Sequence, residues 1–308
     1  MTTGSTRRTR RTLRERLFGN PMVIKELRGR MRGARAFIVL TVYLALMSGF
    51  VTLIYVVFAQ SLALTGPSQG GEIGRVLFRS IVGVELFLVT FIAPAFAAGA
   101  ISGERERQTY DLLRTTLLPA RSLVGGKLLA TLSYIFLLLL AAIPLQSIAF
   151  LFGGVSGTEV VLSFVILLST AVLLGTVGVF FSALTRRTLS ASVLSYAFAV
   201  LSIVVLPVGL LIVLPVLNGL LPTVTDAVET GLYYVLGLMI ATNPMGTLFG
   251  TLILLSDRQV AWTFPVTLTS GATITLISPW IVFVVFTLIV SIILIVIAVR
   301  RVDRIEDM

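Results

Sequence analysis

The side chains that most often do chemistry are absent from this chain or poorly placed in it. Its 308 residues include no His and no Cys. That removes imidazole bases, thiol nucleophiles, disulfides and the usual zinc ligand sets. Any catalytic site would have to use carboxylates or hydroxyls. Gly125-Gly126-Lys127-Leu128 resembles the end of a phosphate-binding loop. However, the glycine that must precede Gly126 with four residues between falls on Arg121, and Leu128 replaces the Ser/Thr. ATP hydrolysis by this chain is therefore not expected, and no catalytic, cofactor or metal site is assigned. Glu85 is the one acid clearly inside an apolar stretch. About one turn from the outer end of its span, it either snorkels to the interface or serves as a vestibule acid for a cationic substrate or a proton. Asp226 and Glu229 would add negative charge at the same outer mouth.

The richest stretch is Ser102–Lys127, SGERERQTYDLLRTTLLPARSLVGGK. Leu112, Leu113, Leu117 and Leu118 are apolar, flanked by charge, and spaced to share broadly one helical face. Pro119 ends that helix, and Arg121 and Lys127 lead into the next apolar run. An exposed Leu face needs a cover, either the chain's own amino-terminal helix or a soluble partner.

The elements that position these residues follow from composition. Hydrophobic residues make up 56% of the chain and charged residues 12%, with a mean hydropathy of +1.03. A soluble domain carries about 25% charged residues. This chain cannot cover itself in water, which excludes a cytosolic enzyme. Six segments are long enough to cross a bilayer, at about 20 apolar residues each. They run approximately Ala36–Phe58, Val82–Ile101, Leu128–Phe152, Val160–Leu184, Leu189–Leu217 and Trp280–Val299. None alternates with period two, so they are helices and not barrel strands. Small-xxx-small pairs at Gly99/Gly103 and Gly246/Gly250 suit close helix packing. Pro94, Pro144, Pro207 and Pro215 lie inside or near span ends.

Lys and Arg divide unequally among the loops: twenty-one fall on one side, and only Arg75, Arg79 and Arg258 on the other. The positive-inside rule puts both termini in the cytoplasm and requires an even number of crossings. Gly231–Leu255 is a seventh apolar stretch, interrupted by Asn243-Pro244. Proline lacks a backbone donor and biases its predecessor away from helix. Two short helices are expected, roughly Thr225–Ala241 and Met245–Leu255, dipping into the outer leaflet and returning; an ordinary seventh span is the alternative. Trp262–Pro279 alternates partially around Ser270-Gly271, which suggests an external hairpin.

The basic run at residues 7–16 could be read as a nucleic-acid arm, but cations before a first span more simply hold it cytoplasmic against anionic lipid. No nucleic-acid partner is expected, and a cleaved signal peptide is not expected either. Beyond it, Asn20 caps and Pro21 opens a helix whose Val23, Leu27 and Met31 recur every four residues among Lys and Arg. That is an amphipathic interfacial helix, or a simple extension of the first span.

Several of these features occur together and in order. Gly103, Glu104, Glu106, Thr109, Leu112 and Leu113, then Leu117, Pro119, Gly126 and Lys127, resemble the Gly-Glu-x-Glu loop of ABC-2 type transporter permease subunits. The Asn20-Pro21-x-x-x-Lys25-Glu26-Leu27 opening, the six spans and Asn243-Pro244 before the last span are similar too. One departure is Gln108, where the family usually has a small residue, often Gly.

The resemblance implies an all-α polytopic fold of six transmembrane helices with cytoplasmic termini. Residues 1–35 would form the basic amino-terminus and elbow helix. Residues 36–299 would form the transmembrane domain, with a coupling loop at 102–127 and a re-entrant external region at 218–279. Residues 300–308 would be the tail. The resemblance further implies that Glu104, Arg105, Thr109, Leu112, Leu113, Leu117 and Leu118 couple to an ATPase, with Glu104 and Arg105 tied to the elbow by charge pairs. Val23, Leu27 and Met31 would form the elbow, and Asn243 and Pro244 the external gate. The implied partners are a cytoplasmic ABC ATPase that holds ATP and Mg, a second permease copy or paralogue, and the bilayer. The expected setting is a bacterial inner (plasma) membrane, and the expected direction is export. Two other readings remain: a non-transporting anchor or regulatory subunit, and a stand-alone secondary transporter. The scarcity of intramembrane charge argues against the last.

Overall fold

The computed structural model describes residues 34–65, 70–109, 119–220 and 225–306. In chain order the helices are α1 (Ala34–Thr65), α2 (Gly70–Ala97), α3 (Ser102–Glu106), α4 (Ala120–Leu151), α5 (Gly157–Leu184), α6 (Thr188–Leu220), α7 (Asp226–Thr242), α8 (Pro244–Arg258) and α9 (Pro279–Glu306). Strands β1 (Thr263–Thr267) and β2 (Thr273–Ile277) stand between α8 and α9. Among the described residues six helical stretches are long and apolar enough to cross a membrane, and they overlap the six expected spans.

The helices extend beyond the apolar runs that reveal them. The second expected span began at Val82, yet α2 begins at Gly70. Its first turns carry Glu72, Arg75 and Arg79, which lower the local hydropathy without breaking the helix. Arg75 Nε donates to Gly154 O at 3.0 Å. Arg79 donates to Ser256 Oγ at 2.6 Å. Hydropathy marks the part of a helix that suits lipid, whereas backbone hydrogen bonds continue until something stops them.

Local chemistry sets several boundaries. Gly153 and Gly154, at φ of 82° and 80°, carry the chain out of α4 in a conformation costly for other residues. Gly154 also lies so close to Gly71 that a Cβ would overlap its carbonyl oxygen. α5 then opens with a capping box. Ser156 Oγ accepts from Glu159 N at 3.2 Å, and Ser156 N donates to the Glu159 carboxylate at 3.4 Å.

α5 is the central helix. In its most apolar window 61% of residues are buried, against 6% in α6 and 11% in α1. It is apolar all round, as a helix with neighbours on every side should be. The main core joins Tyr43 and Met47 of α1, Phe78 and Ile81 of α2, Ile135 and Leu138 of α4, and Ile166 and Leu167 of α5. Leu248 and Leu252 of α8 and Phe283 of α9 complete it. A second cluster lies at the α3 end, where Ile101, Leu123, Val124, Val179 and Val302 meet. α2 approaches α5 closely there, and a Cβ on Gly178 would overlap Ala97.

The small-xxx-small pairs prove less regular than their spacing suggests. Gly99 lies in the turn between α2 and α3, so Gly99 and Gly103 share no continuous helix. A Cβ placed on Gly99 or Gly103 would nevertheless come within 4.0 or 3.6 Å of Thr188 Cγ2. One on Gly250 would lie 3.5 Å from Ile240 and 3.8 Å from Pro279.

Gly231–Leu255 is divided as the Asn-Pro break predicts. α7 and α8 are bent by 111° at Asn243. The all-α expectation needs one amendment, because the Ser270-Gly271 hairpin is formed. β1 and β2 are antiparallel, with Thr263 opposite Ile277 and Thr267 opposite Thr273. Gly271 turns the chain at φ of 84°.

Candidate functional site

The chain leaves α2 through Ala98–Ile101 and enters the single charged turn of α3. Its start is held by a hydroxyl from the central helix. The backbone N–H groups of Ile101 and Ser102 both donate to Ser182 Oγ on α5, at 2.8 and 2.9 Å. Helix starts leave such donors unsatisfied, and Ser182 meets that need from outside the local chain.

The next three residues are Glu104, Arg105 and Glu106, and each reaches a different helix. Glu104 accepts an ion-paired hydrogen bond from Lys127 Nζ on α4 at 3.1 Å. Lys127 is only 3% exposed and Glu104 26%, so the pair is well shielded from water. The other carboxylate oxygen of Glu104 accepts from Thr109 Oγ1. Arg105 donates to Ala183 O and Thr185 O, both at 3.1 Å. These carbonyls lie at the carboxyl end of α5, where acceptors are left over and a cation is favoured. Glu106 accepts from Thr188 N at 2.8 Å and Thr188 Oγ1 at 2.7 Å. That is the first turn of α6, where a carboxylate meets free N–H groups and the positive end of the helix dipole.

α3 closes with a Schellman arrangement. Thr109 N donates to Glu104 O at 3.0 Å and Gln108 N to Arg105 O at 3.1 Å. This motif needs a left-handed residue between the two, usually Gly. Gln108 occupies that place at φ of 56°. The small residue that the resemblance leads one to expect here would suit this backbone, and Gln108 bears the strain.

The structure therefore brings Glu104, Arg105 and Thr109 together at the foot of the 102–127 loop. Among the described residues Glu104 links to α4 and Arg105 to α5, while the elbow to which their charge pairs are expected lies outside the described residues. Leu112, Leu113, Leu117 and Leu118 lie outside the described residues, as do Val23, Leu27 and Met31. Ser182 and Thr188 were not foreseen as partners, because nothing in their local sequence separates them from other hydroxyls at helix ends. Lys127 was noticed only as a family position and as part of a phosphate-loop likeness. It lies in the early turns of α4, with Gly126 and Lys127 buried, so no loop is available there to cradle phosphate.

Glu85 is not near the end of its helix, and the snorkelling reading does not hold. α2 begins at Gly70, which places Glu85 about four turns in. It is fully buried, and Gln146 Nε2 on α4 donates to its Oε2 at 2.6 Å. Glu229 is also buried and contributes no open charge. Its carboxylate accepts from Thr269 N at 3.0 Å and Thr269 Oγ1 at 2.7 Å, tying α7 to the hairpin turn.

Asn243 and Pro244 form the joint between α7 and α8. Asn243 Oδ1 caps α8 by accepting from Met245 N and Gly246 N, at 2.9 and 3.0 Å. Pro244 occupies the first turn, where no N–H is required. Asn243 Nδ2 donates to Ser202 O on α6. Thr247 Oγ1 lies 3.2 Å from Ala241 O and 3.3 Å from Ile240 O, so the last carbonyls of α7 are covered as well. One Asn-Pro pair ends one helix, starts the next and anchors the bend to a third.

The family model described as ABC-2 family transporter protein matches residues 21–305. No curated protein gives a significant match to the chain.

Two substitutions test the turn. Removing one partner of a shielded ion pair leaves an uncompensated charge and costs about 3 kcal/mol. Lys127→Met and Glu104→Gln should each lower the thermal midpoint in detergent, and the double variant should lose less than the sum. Gln108→Gly should raise stability by about 1 kcal/mol, since it relieves a left-handed conformation. A lowered midpoint would show that the turn is not left-handed in solution.

Proposed function

The chain belongs to the ABC-2 family of transporter membrane proteins, and from that premise we propose that it is the permease subunit of an ATP-driven exporter. It is a multi-pass membrane component. In our reading its termini face the cytoplasm, as the Lys/Arg asymmetry favours. A separate ABC ATPase binds ATP and Mg and hydrolyses the nucleotide. It docks on the Leu face of residues 112–118, with the amphipathic elbow at Val23, Leu27 and Met31 lying beside it in the interface. A second copy or a paralogue completes the translocation path. The apolar, little-covered faces of α1 and α6 are where that second subunit and lipid are accommodated.

The observation that carries this reading is the attachment of α3. The turn at the foot of the 102–127 loop is bonded to α4, to the end of α5 and to the start of α6. A push on the Leu face reaches these helices through short polar contacts, with little slack to absorb it. Such a push can change the tilt of the spans and alternate access to the path. On the opposite side, the Asn243 joint holds α7 and α8 as a re-entrant pair that closes the outer mouth. Glu85, bonded to Gln146, joins α2 to α4 in the interior.

Two experiments separate this reading from its rivals. Leu113→Asp with Leu117→Asp should abolish co-purification of the chain's ABC ATPase partner, while the chain stays folded in the membrane. Unchanged co-purification would remove the docking face. A topology reporter fused after residue 265 should report the external side. A cytoplasmic signal there would make α7–α8 a broken seventh span.

A further inference from the structure

α9 packs against α5, and Val179 and Ala183 of α5 share a buried cluster with Ala298 and Val302 of α9 near the charged ends. Ala183 of α5 and Ala298 of α9 are both buried in that contact and line a space beside it. That space is a groove of about 320 Å³. Phe180 and Leu184 form one wall and Ile297 the other, and Arg300 and Arg301 stand at its mouth. Leu184 and Ile297 are each 45% exposed, so the walls are open to the surroundings. Both arginines are exposed, and among the described residues no hydrogen bond or ion pair engages either.

We propose that this groove binds one anionic phospholipid, with an acyl chain between α5 and α9 and its phosphate on Arg300 and Arg301. The groove is apolar along its length and cationic only at the end, which is the profile of a lipid standing in one leaflet. Arginine suits the head, because its planar fork matches phosphate oxygens in pairs. Charge selects against the other occupants. Residues 7–35 are strongly cationic, and the same groove of a second copy would bring four arginines together with nothing between them. The aliphatic Leu184 and Ile297 offer nothing to a free phosphate, which would engage the arginines alone.

The site adds a lipid requirement at the α5 terminus whose carbonyls Arg105 also grips. A bound lipid would fix α9 against α5 beside the charged turn.

The test uses the full-length chain in nanodiscs of mixed phosphatidylcholine and phosphatidylglycerol, released into native mass spectrometry. One phosphatidylglycerol per chain should be retained after phosphatidylcholine has been stripped. Arg300→Gln with Arg301→Gln should lower that retention about tenfold. Arg186→Gln with Arg187→Gln removes the same charge from the neighbouring loop and should leave retention unchanged. Equal loss in both variants would mean general surface attraction and would overturn the site. Excess inorganic phosphate should not displace the lipid, and displacement would reduce the site to a simple anion contact. Phosphatidylglycerol with a photoreactive acyl chain should label the segments around Leu184 and Ile297. Labelling elsewhere, or a photoreactive group at Ile297 that captures residues 110–118 or a second copy, would also overturn the proposal. Unchanged helical circular dichroism in both double variants keeps misfolding out of the comparison.

Discussion

A lysine amine buried against a carboxylate is the constraint from which the cytoplasm-facing end, as we assign it, is organised. Lys127 is expensive to take out of water, and the close approach of Glu104 offsets that cost. That requirement fixes α3 against α4. Once α3 is fixed, Arg105 and Glu106 fall where one meets the surplus carbonyls of α5 and the other the surplus N–H groups of α6. Two helix ends and one buried ammonium group that would each have needed solvent or another partner are satisfied by three adjacent side chains. The economy comes with rigidity, because no one of these helices can shift at this end without breaking a polar contact, and those of α4 and α5 are shielded from water.

The opposite end is built on the same logic with different groups. Asn243 caps α8, holds a carbonyl of α6 and ends α7, so the 111° bend is a bonded corner and not a loose hinge. Glu229 binds the hairpin turn, and Trp280 Nε1 donates to Ala261 O at 2.7 Å where α9 begins. Between these two bonded ends the helices meet mainly through apolar packing around α5, with the Glu85–Gln146 bond as an interior tie. A machine that tilts helices about a packed centre needs this distribution. Close packing tolerates small rigid-body motions, whereas buried polar bonds set what moves together.

Much of this was legible in the sequence because its causes are local. Span number follows from hydropathy, the α7–α8 break from Pro244, and the hairpin from Ser270-Gly271 between alternating residues. Helix lengths were not legible. The charged first turns of α2 look like loop in a hydropathy profile, although Arg75 and Arg79 find partners on Gly154 and Ser256 far along the chain. The misplacement of Glu85 followed directly from that shortened helix. Gln108 was recognisable as an oddity by resemblance, but only its left-handed backbone explains it. The partners of the charged turn were hidden for a plain reason. Ser182, Thr188 and Lys127 are made important by folding, through contacts with residues remote in sequence. The Leu face at 112–118 and the elbow remain readable from their spacing alone.

The absence of cysteine in this chain allows a direct test of whether the charged turn and the start of α6 move as one body. Arg107→Cys and Leu189→Cys place spin labels on two exposed sites flanking the Glu106–Thr188 contact. Their distance distribution is measured by electron–electron double resonance in the assembled complex, without nucleotide and with ATP trapped in the ATPase. A single narrow distribution, the same in both states, is what the account predicts. A second distance that appears only with ATP would mean that the turn detaches from α6 during the cycle, and the proposed route of force through Glu104, Arg105 and Glu106 would be wrong.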